Sequence, residues 1–169
     1  MLLPGDPEVR LTSTIGDRVA GDFLQQFKWP WLTAPSGKAV DYSVIASASQ
    51  NANDKVYANA SSEGWCALHD GHTGDFVAFG YPPEKLPFVG VCLNHGGWPF
   101  DGARGYWAAL EPCTSFPDNL DQAIALDKHA TLAPHSAVEW LLTLHVGQAQ
   151  SAEAVRQQVR SKYSALASD

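Results

Sequence analysis

The stretch Ser136–Val146, SAVEWLLTLHV, alternates apolar and polar residues more clearly than the rest of the chain. Every second residue from Val138 to Val146 is apolar, while Glu139, Thr143 and His145 occupy the opposite face. A period of two sustained over about ten residues predicts a β-strand. We expect His145, on the polar side of this strand, to face solvent.

Shorter candidate strands lie upstream and are separated by Gly, Pro, Asn and Asp residues. They cover residues 40–47, 54–58, 64–69, 75–80, 87–94 and 106–111. Short strands punctuated in this way are typical of an all-β sandwich or barrel. The sequence therefore predicts a mainly β fold, an antiparallel β-sandwich, with one domain over residues 1–148.

Two helices accompany these strands. Asp118 is placed to cap a short helix after the 106–111 strand, through Leu120, Ala123 and Ile124. Ser151 is placed to cap a second helix within residues 149–169, a C-terminal helix or tail. Its apolar residues recur at helical spacing, at Val155, Val159, Tyr163 and Leu166.

Composition restricts the function classes. The formal net charge is −7, which argues against nucleic acid or an anionic membrane surface as the main partner. A neutral small molecule is the more natural ligand.

Three cysteines without a C-x-x-C pair are typical of reduced thiols in a cytoplasmic protein. No signal-peptide pattern is present at the start, and the apolar stretches are too short to span a membrane.

Three segments between Leu86 and Leu144 carry the most informative motifs. They include Leu110-Glu111-Pro112, Thr114, Pro117-Asp118, and Leu132-Ala133-Pro134 leading to Trp140. In order, spacing and residue type, these resemble the closing strands of the aldose 1-epimerase, or galactose mutarotase-like, family. The resemblance covers about a third of the chain.

The resemblance implies an activity without a cofactor or metal. Members of the family interconvert the α and β anomers of a free hexose or a related sugar by opening and reclosing the ring. A carboxylate removes the proton of the anomeric hydroxyl while an imidazolium protonates the ring oxygen, which is general acid–base catalysis. The family's base is the Glu of the Leu-Glu motif, and it maps onto Glu111.

Glu111 can also be judged from its own strand. Alternation places Glu111 on one face with Trp107 and Ala109. A carboxylate beside a tryptophan on a sheet is partly desolvated, as a general base requires. The alternative is a strand-end glutamate that reaches solvent before Pro112 stops the ladder.

The loop after residue 94 supplies candidate sugar contacts. Gly96 and Gly97 allow a tight turn that presents Asn94, His95 and Trp98 to a ligand, although an ordinary solvated loop is equally consistent. Trp107 and Asp118 complete the predicted substrate-binding set. The pair His69 and His72 favours surface loop histidines over a metal site, because the segment is turn-like.

The resemblance extends only to the C-terminal half of the family's fold. Its acid histidine would precede the turn Leu3-Pro4-Gly5-Asp6, which stands at the start of this sequence. The expectation is weak or no mutarotase activity, and family-like rates would instead point to His95 or His135 as a replacement acid. Exposed sheet faces predict a homo-oligomer, or pairing with a missing N-terminal half.

Several alternatives remain open. Arg104 is the only basic residue expected near Glu111, which argues against a phosphorylated sugar. A non-catalytic carbohydrate-binding or structural β-sandwich is the main alternative, and an accessory domain of a sugar-processing partner is another. Glycoside hydrolysis by Glu111 with Asp118 is conceivable, but no spacing fixes the distance between these two carboxylates.

Overall fold

The computed structural model describes residues 1–16 and 18–166, with side chains described through Tyr163 in the last helix. Strands account for 37% of the chain and helices for 13%, which confirms the mainly β class. The sheets are antiparallel and curled, and the last element is a helix, consistent with a β-sandwich-like fold.

The elements follow one another as ten strands, two α-helices and a short 3-10 helix at Ala48–Gln50 within the described residues. They are β1 (Glu8–Ile15), β2 (Gln26–Lys28), β3 (Trp31–Thr33), β4 (Ala39–Asp41), β5 (Ala52–Asn59), β6 (Trp65–His69), β7 (Asp75–Gly80), β8 (Phe88–His95), β9 (Tyr106–Cys113), α1 (Leu120–Ala125), β10 (Thr143–Gln148) and α2 (Ala152–Leu166). The strands predicted at 54–58, 64–69, 75–80, 87–94 and 106–111 are therefore confirmed.

The chain divides into two compact units. Residues 6–59 and 89–111 form one, here called the sheet unit. Residues 1–5, 60–88 and those from 112 onward form the other, here called the helix-bearing unit. Glu111 and most of its candidate partners belong to the sheet unit.

The sheet unit is built on seven strands in the order β4-β3-β2-β1-β5-β8-β9. β1 pairs antiparallel with β5, so that Leu11 lies opposite Val56 and Arg10 opposite Tyr57. One face of these strands forms the apolar core, in which the side chains are almost fully buried: Val9, Leu11, Val56, Val89, Val91 and Leu93. The register of β1 shifts between Leu11 and Ser13. This bulge returns Thr14 to the core face, where its hydroxyl donates to Asp54 at 2.8 Å.

The helix-bearing unit contains a three-stranded antiparallel sheet in the order β10-β7-β6. Val155 and Val159 of α2 are buried against this sheet, in a core with Trp65 and Phe76. The Ser151 hydroxyl accepts from the Ala154 N–H at 3.2 Å, which confirms the predicted cap. The predicted apolar contact of the Leu166 side chain lies outside the described residues.

The predicted strand at Ser136–Val146 is wrong over its first half. β10 begins only at Thr143, opposite Gly80, where β7 ends. The residues after Gly80 are Tyr81, Pro82 and Pro83, and prolines have no N–H to continue a ladder. Residues 136–142 are therefore irregular and exposed, although their sequence alternates.

The predicted orientation of β10 is also wrong. The His145 ring packs edge-on against Phe76, with 5.2 Å between ring centroids, and its Nδ1 lies 3.1 Å from the Lys162 ammonium nitrogen on α2. Leu144 and Val146 are instead exposed. Helix α2 covers the face that carries His145, so the alternation gave the period of the strand but not its buried side.

Two local boundaries differ from the prediction. The predicted strand 40–47 ends at Asp41, because the Asp41 carboxylate accepts from the N–H of Ser43 at 2.8 Å and turns the chain. Helix α1 is capped by Asn119 rather than Asp118, since the Asn119 side chain accepts from the Gln122 N–H at 3.0 Å. A one-residue difference in the cap leaves the predicted helix in place.

Candidate functional site

An ion pair between Lys55 and Glu111 is the centre of the candidate site. The Lys55 ammonium on β5 contacts Oε2 of Glu111 on β9. The Lys55 side chain is 9% exposed and the Glu111 side chain 39% exposed. The cation is therefore nearly covered, while the carboxylate can be reached from outside.

Gly90 on β8 explains how two strands that are not adjacent can share an ion pair. β8 lies between β5 and β9, so the pair spans two strand intervals of about 4.8 Å each. A Cβ on Gly90 would lie 3.2 Å from Glu111 Oε2 and 3.3 Å from Lys55 Cε. It would also lie 3.2 Å from Cε1 of Tyr57. Because glycine has no side chain, Lys55 can cross over β8 to Glu111.

Two aromatic side chains lie on the face of the sheet that carries this pair. The Lys55 ammonium lies 5.3 Å from the centroid of the Tyr57 ring, within the range of a cation–π contact. Trp107 is 39% exposed and shares the face of Glu111 by alternation along β9. Sugar C–H faces pack well on exposed aromatic rings of this kind.

The expectation that Arg104 is the only basic residue near Glu111 is wrong. The Arg104 guanidinium donates to the Gly96 carbonyl oxygen at 3.1 Å, whereas Lys55 makes the contact with Glu111. Arg10 lies opposite Tyr57 in the β1–β5 register, which places it on the same face as Lys55. Lys55 is 56 residues from Glu111, and no local motif links the two.

Asn94 organises the loop that follows β8. Its Oδ1 accepts from the N–H groups of Gly97 at 3.1 Å and Trp98 at 3.2 Å. Its Nδ2 donates to the Trp98 carbonyl oxygen at 2.6 Å. Asn94 is fully buried, whereas Trp98 is half-exposed. The amide of Asn94 thus holds the loop, and the Trp98 ring is the part of it that a ligand can reach.

Trp107 and Asn94 approach each other around Gly105. A Cβ on Gly105 would lie 2.8 Å from the indole Nε1 of Trp107 and 2.9 Å from Nδ2 of Asn94. The loop anchor and the exposed ring are therefore neighbours. Three of the predicted site residues, Asn94, Trp107 and Glu111, therefore belong to one face of the sheet.

His95 is fully buried and lies on the core face by alternation along β8. Its Nε2 accepts from the Ala46 N–H at 3.1 Å, and the Tyr106 hydroxyl donates to the Ala46 carbonyl oxygen at 3.0 Å. Burial, with a smaller contribution from the charge of Arg18, lowers the pKa of His95 to about 4. A neutral imidazole behind the sheet does not supply an acid beside Glu111.

A buried charge pair lies on the same core face. The Arg18 guanidinium donates to Asp54 at 2.6 Å and stacks on the Tyr42 ring with Cζ 4.9 Å from its centroid. Burial raises the pKa of Asp54, and the hydrogen bonds from Arg18 and Thr14 oppose that shift. Sequence analysis did not find this pair, because its members are 36 residues apart.

The remaining candidates lie in the helix-bearing unit. Asp118 is exposed and precedes the Asn119 cap of α1, and His135 is also exposed. That unit also holds a cavity of about 620 Å³ lined by residues such as Gly64, Tyr81, Leu141 and Tyr163. None of the predicted site residues lines this cavity.

Within residues 1–16 and 18–166, no three His, Cys, Asp or Glu side chains are grouped closely enough to hold a metal ion. The same described residues include no helix with the length and apolar character needed to cross a membrane. No protein-family model, curated protein or solved structure matches this chain.

Proposed function

We propose that this chain is an aldose 1-epimerase-like protein that interconverts the anomers of a free aldose, with Glu111 as the general base. The observation that carries the proposal is the partly exposed carboxylate of Glu111, held by the covered ammonium group of Lys55. Proton abstraction from a sugar hydroxyl requires a positioned carboxylate of this kind.

In this reaction Glu111 takes the proton of the anomeric hydroxyl as the bond between C1 and the ring oxygen breaks. The ring oxygen is protonated, the aldehyde rotates about C1–C2, and the ring closes on the other face. Trp107 and Trp98 supply exposed rings for the sugar, and Asn94 keeps the Trp98 loop in place. Without an imidazolium beside Glu111, we expect rates below those of a site that has one.

A non-catalytic carbohydrate-binding module is the second candidate. Its support is that the exposed rings of Trp98 and Trp107 would serve binding without proton transfer.

For either function we propose a cytoplasmic protein, since Cys66, Cys92 and Cys113 are free thiols. We also propose that the chain self-associates or pairs with another chain through exposed apolar residues of the helix-bearing unit.

Anomer exchange measured by NMR on glucose and galactose tests the proposal. Wild-type protein is expected to accelerate exchange above the buffer rate, and Glu111→Gln to lower that acceleration by about 100-fold or more. Glu153→Gln, which changes an exposed carboxylate on α2, is the control and should match wild type. If neither wild type nor Glu111→Gln accelerates exchange while both bind sugar, the binding module is the correct function.

A further inference from the structure

We infer that Lys55 is the proton donor that acts with Glu111, so that one ion pair supplies both the acid and the base for ring opening. This inference rests on the proposed mutarotase-like function and adds a catalytic residue that the sequence motifs do not indicate. Its basis is the direct contact between the Lys55 ammonium and Glu111 Oε2.

The reaction geometry favours two groups that touch each other. The anomeric oxygen and the ring oxygen are both bonded to C1, so they are separated by a single O–C–O angle. An acid and a base already in hydrogen-bond contact are spaced to reach these two oxygens together. The sugar would enter from the side of Glu111, whose side chain is 39% exposed, and would reach Lys55, which is 9% exposed, by displacing the carboxylate from it.

The proton balance of the step is complete within the pair. The Glu111 carboxylate accepts the proton from the anomeric hydroxyl, and the electron pair of that O–H bond forms the C1 carbonyl. The bond from C1 to the ring oxygen breaks, and the ring oxygen takes a proton from the Lys55 ammonium. The open aldehyde then faces a neutral amine and a carboxylic acid, and ring closure returns both protons.

Poor hydration of the Lys55 ammonium group favours this proton transfer. The Lys55 side chain is 9% exposed, so its charge is poorly hydrated and depends on the contact with Glu111. A hemiacetal inserted between Lys55 and Glu111 separates the charges, and proton transfer through the sugar neutralises both. Gly90 provides the space over β8 in which the two groups meet.

Other nearby groups fit the donor role less well. His95 is buried on the core face, where its Nε2 is occupied by the Ala46 N–H. Arg10 shares the face with Lys55, but a guanidinium does not release its proton in proteins. Lys55 is the group that combines a transferable proton with contact to Glu111.

Anomer-exchange NMR on four variants tests the role of Lys55: Lys55→Arg, Lys55→Met, Glu111→Gln and the exposed-lysine control Lys38→Met. Lys55→Arg keeps the positive charge but cannot donate a proton, so we expect about a 100-fold loss of rate acceleration with sugar binding retained. Wild-type acceleration should fall at alkaline pH, where an ammonium deprotonates, and Lys55→Arg should lack that alkaline decrease. Near-UV circular dichroism establishes that each variant is folded, and Lys55→Arg alone carries the test if Lys55→Met does not fold.

The outcomes separate this inference from the proposed function. If Lys55→Arg keeps wild-type rates while Glu111→Gln is inactive, Lys55 is not the donor and the function stands. If wild-type protein does not exceed the buffer rate, both the function and the donor role are overturned. Loss of acceleration in both Lys55→Arg and Glu111→Gln, with Lys38→Met unchanged, supports the acid–base pair.

Discussion

The ammonium group of Lys55 and the carboxylate of Glu111 meet across β8, over the backbone of Gly90. Lys55 is nearly covered and Glu111 is partly exposed, so the pair links the interior of the sheet surface to solvent. This relationship makes the candidate site sensitive to residues that would never touch a sugar.

Gly90→Val should disrupt the site from beneath. Even a Cβ at Gly90 would lie 3.2 Å from Glu111 Oε2, and valine adds two methyl groups to that contact. We expect a destabilisation of about 1–3 kcal/mol from overpacking, together with loss of anomer exchange. Urea unfolding and exchange NMR provide the two measurements.

Gly71→Val is the control for that substitution. A Cβ at Gly71 meets nothing within 4 Å, so the variant should keep wild-type stability and activity. Equal behaviour of Gly90→Val and Gly71→Val would show that the gap over β8 is not needed.

Stability should fall in mild acid because of His95. Its pKa is lowered to about 4 in the folded protein, below the value of about 6.5 in an unfolded chain. The unfolded state therefore binds this proton first, and stability present above pH 6.5 is lost as the pH falls toward 4. One such group changes the free energy of unfolding by at most about 1.4 kcal/mol per pH unit.

Urea unfolding of wild type and His95→Gln between pH 7.5 and pH 5 measures this contribution. The glutamine can still accept from the Ala46 N–H but does not titrate, so its stability should depend less on pH. His145 also has a lowered pKa, because of burial and the charge of Lys162, and it adds the same slope to both proteins. Identical slopes for the two proteins would contradict the assignment to His95.

Removal of Arg18 should destabilise the protein strongly. Arg18→Met leaves the fully buried Asp54 carboxylate without its guanidinium partner, and breaking such a pair costs about 3–5 kcal/mol. Arg160→Met removes a pair with Glu63 whose side chains are 50% and 31% exposed, and should cost below about 1 kcal/mol. Chemical denaturation of both variants checks the contrast, and similar losses would mean that burial does not set the strength of these pairs.

The helix-bearing unit should drive self-association. Trp140 is 49% exposed and Leu141 is 71% exposed, and clustered apolar side chains of this kind mark interaction surfaces. Sedimentation analysis should find a concentration-dependent oligomer that weakens in Trp140→Ser. Val44→Ser, which changes an exposed apolar residue of the sheet unit, is the control and should leave the oligomer intact. A wild-type protein that stays monomeric at all concentrations would refute the expectation.

Sequence alone determined the local features of this protein. Short runs between turn residues predicted β5 to β9, and the hydroxyl of Ser151 predicted the start of α2, because turn signals and a helix cap depend on neighbouring residues. Alternation placed Trp107 and Glu111 on one face of β9. It did not find β1, which has eight residues but whose apolar alternation is interrupted by the bulge between Leu11 and Ser13. It also did not find β2 and β3, which have three residues each.

Only the tertiary structure decided which distant residues meet. The contact of Lys55 with Glu111 depends on the strand order β5-β8-β9 and on a glycine in the middle strand. The burial of His95 and the late start of β10 depend likewise on what packs against each strand. Strand order, register and partner length are set by interactions between segments far apart in the chain, and a pattern within one segment carries no information about them.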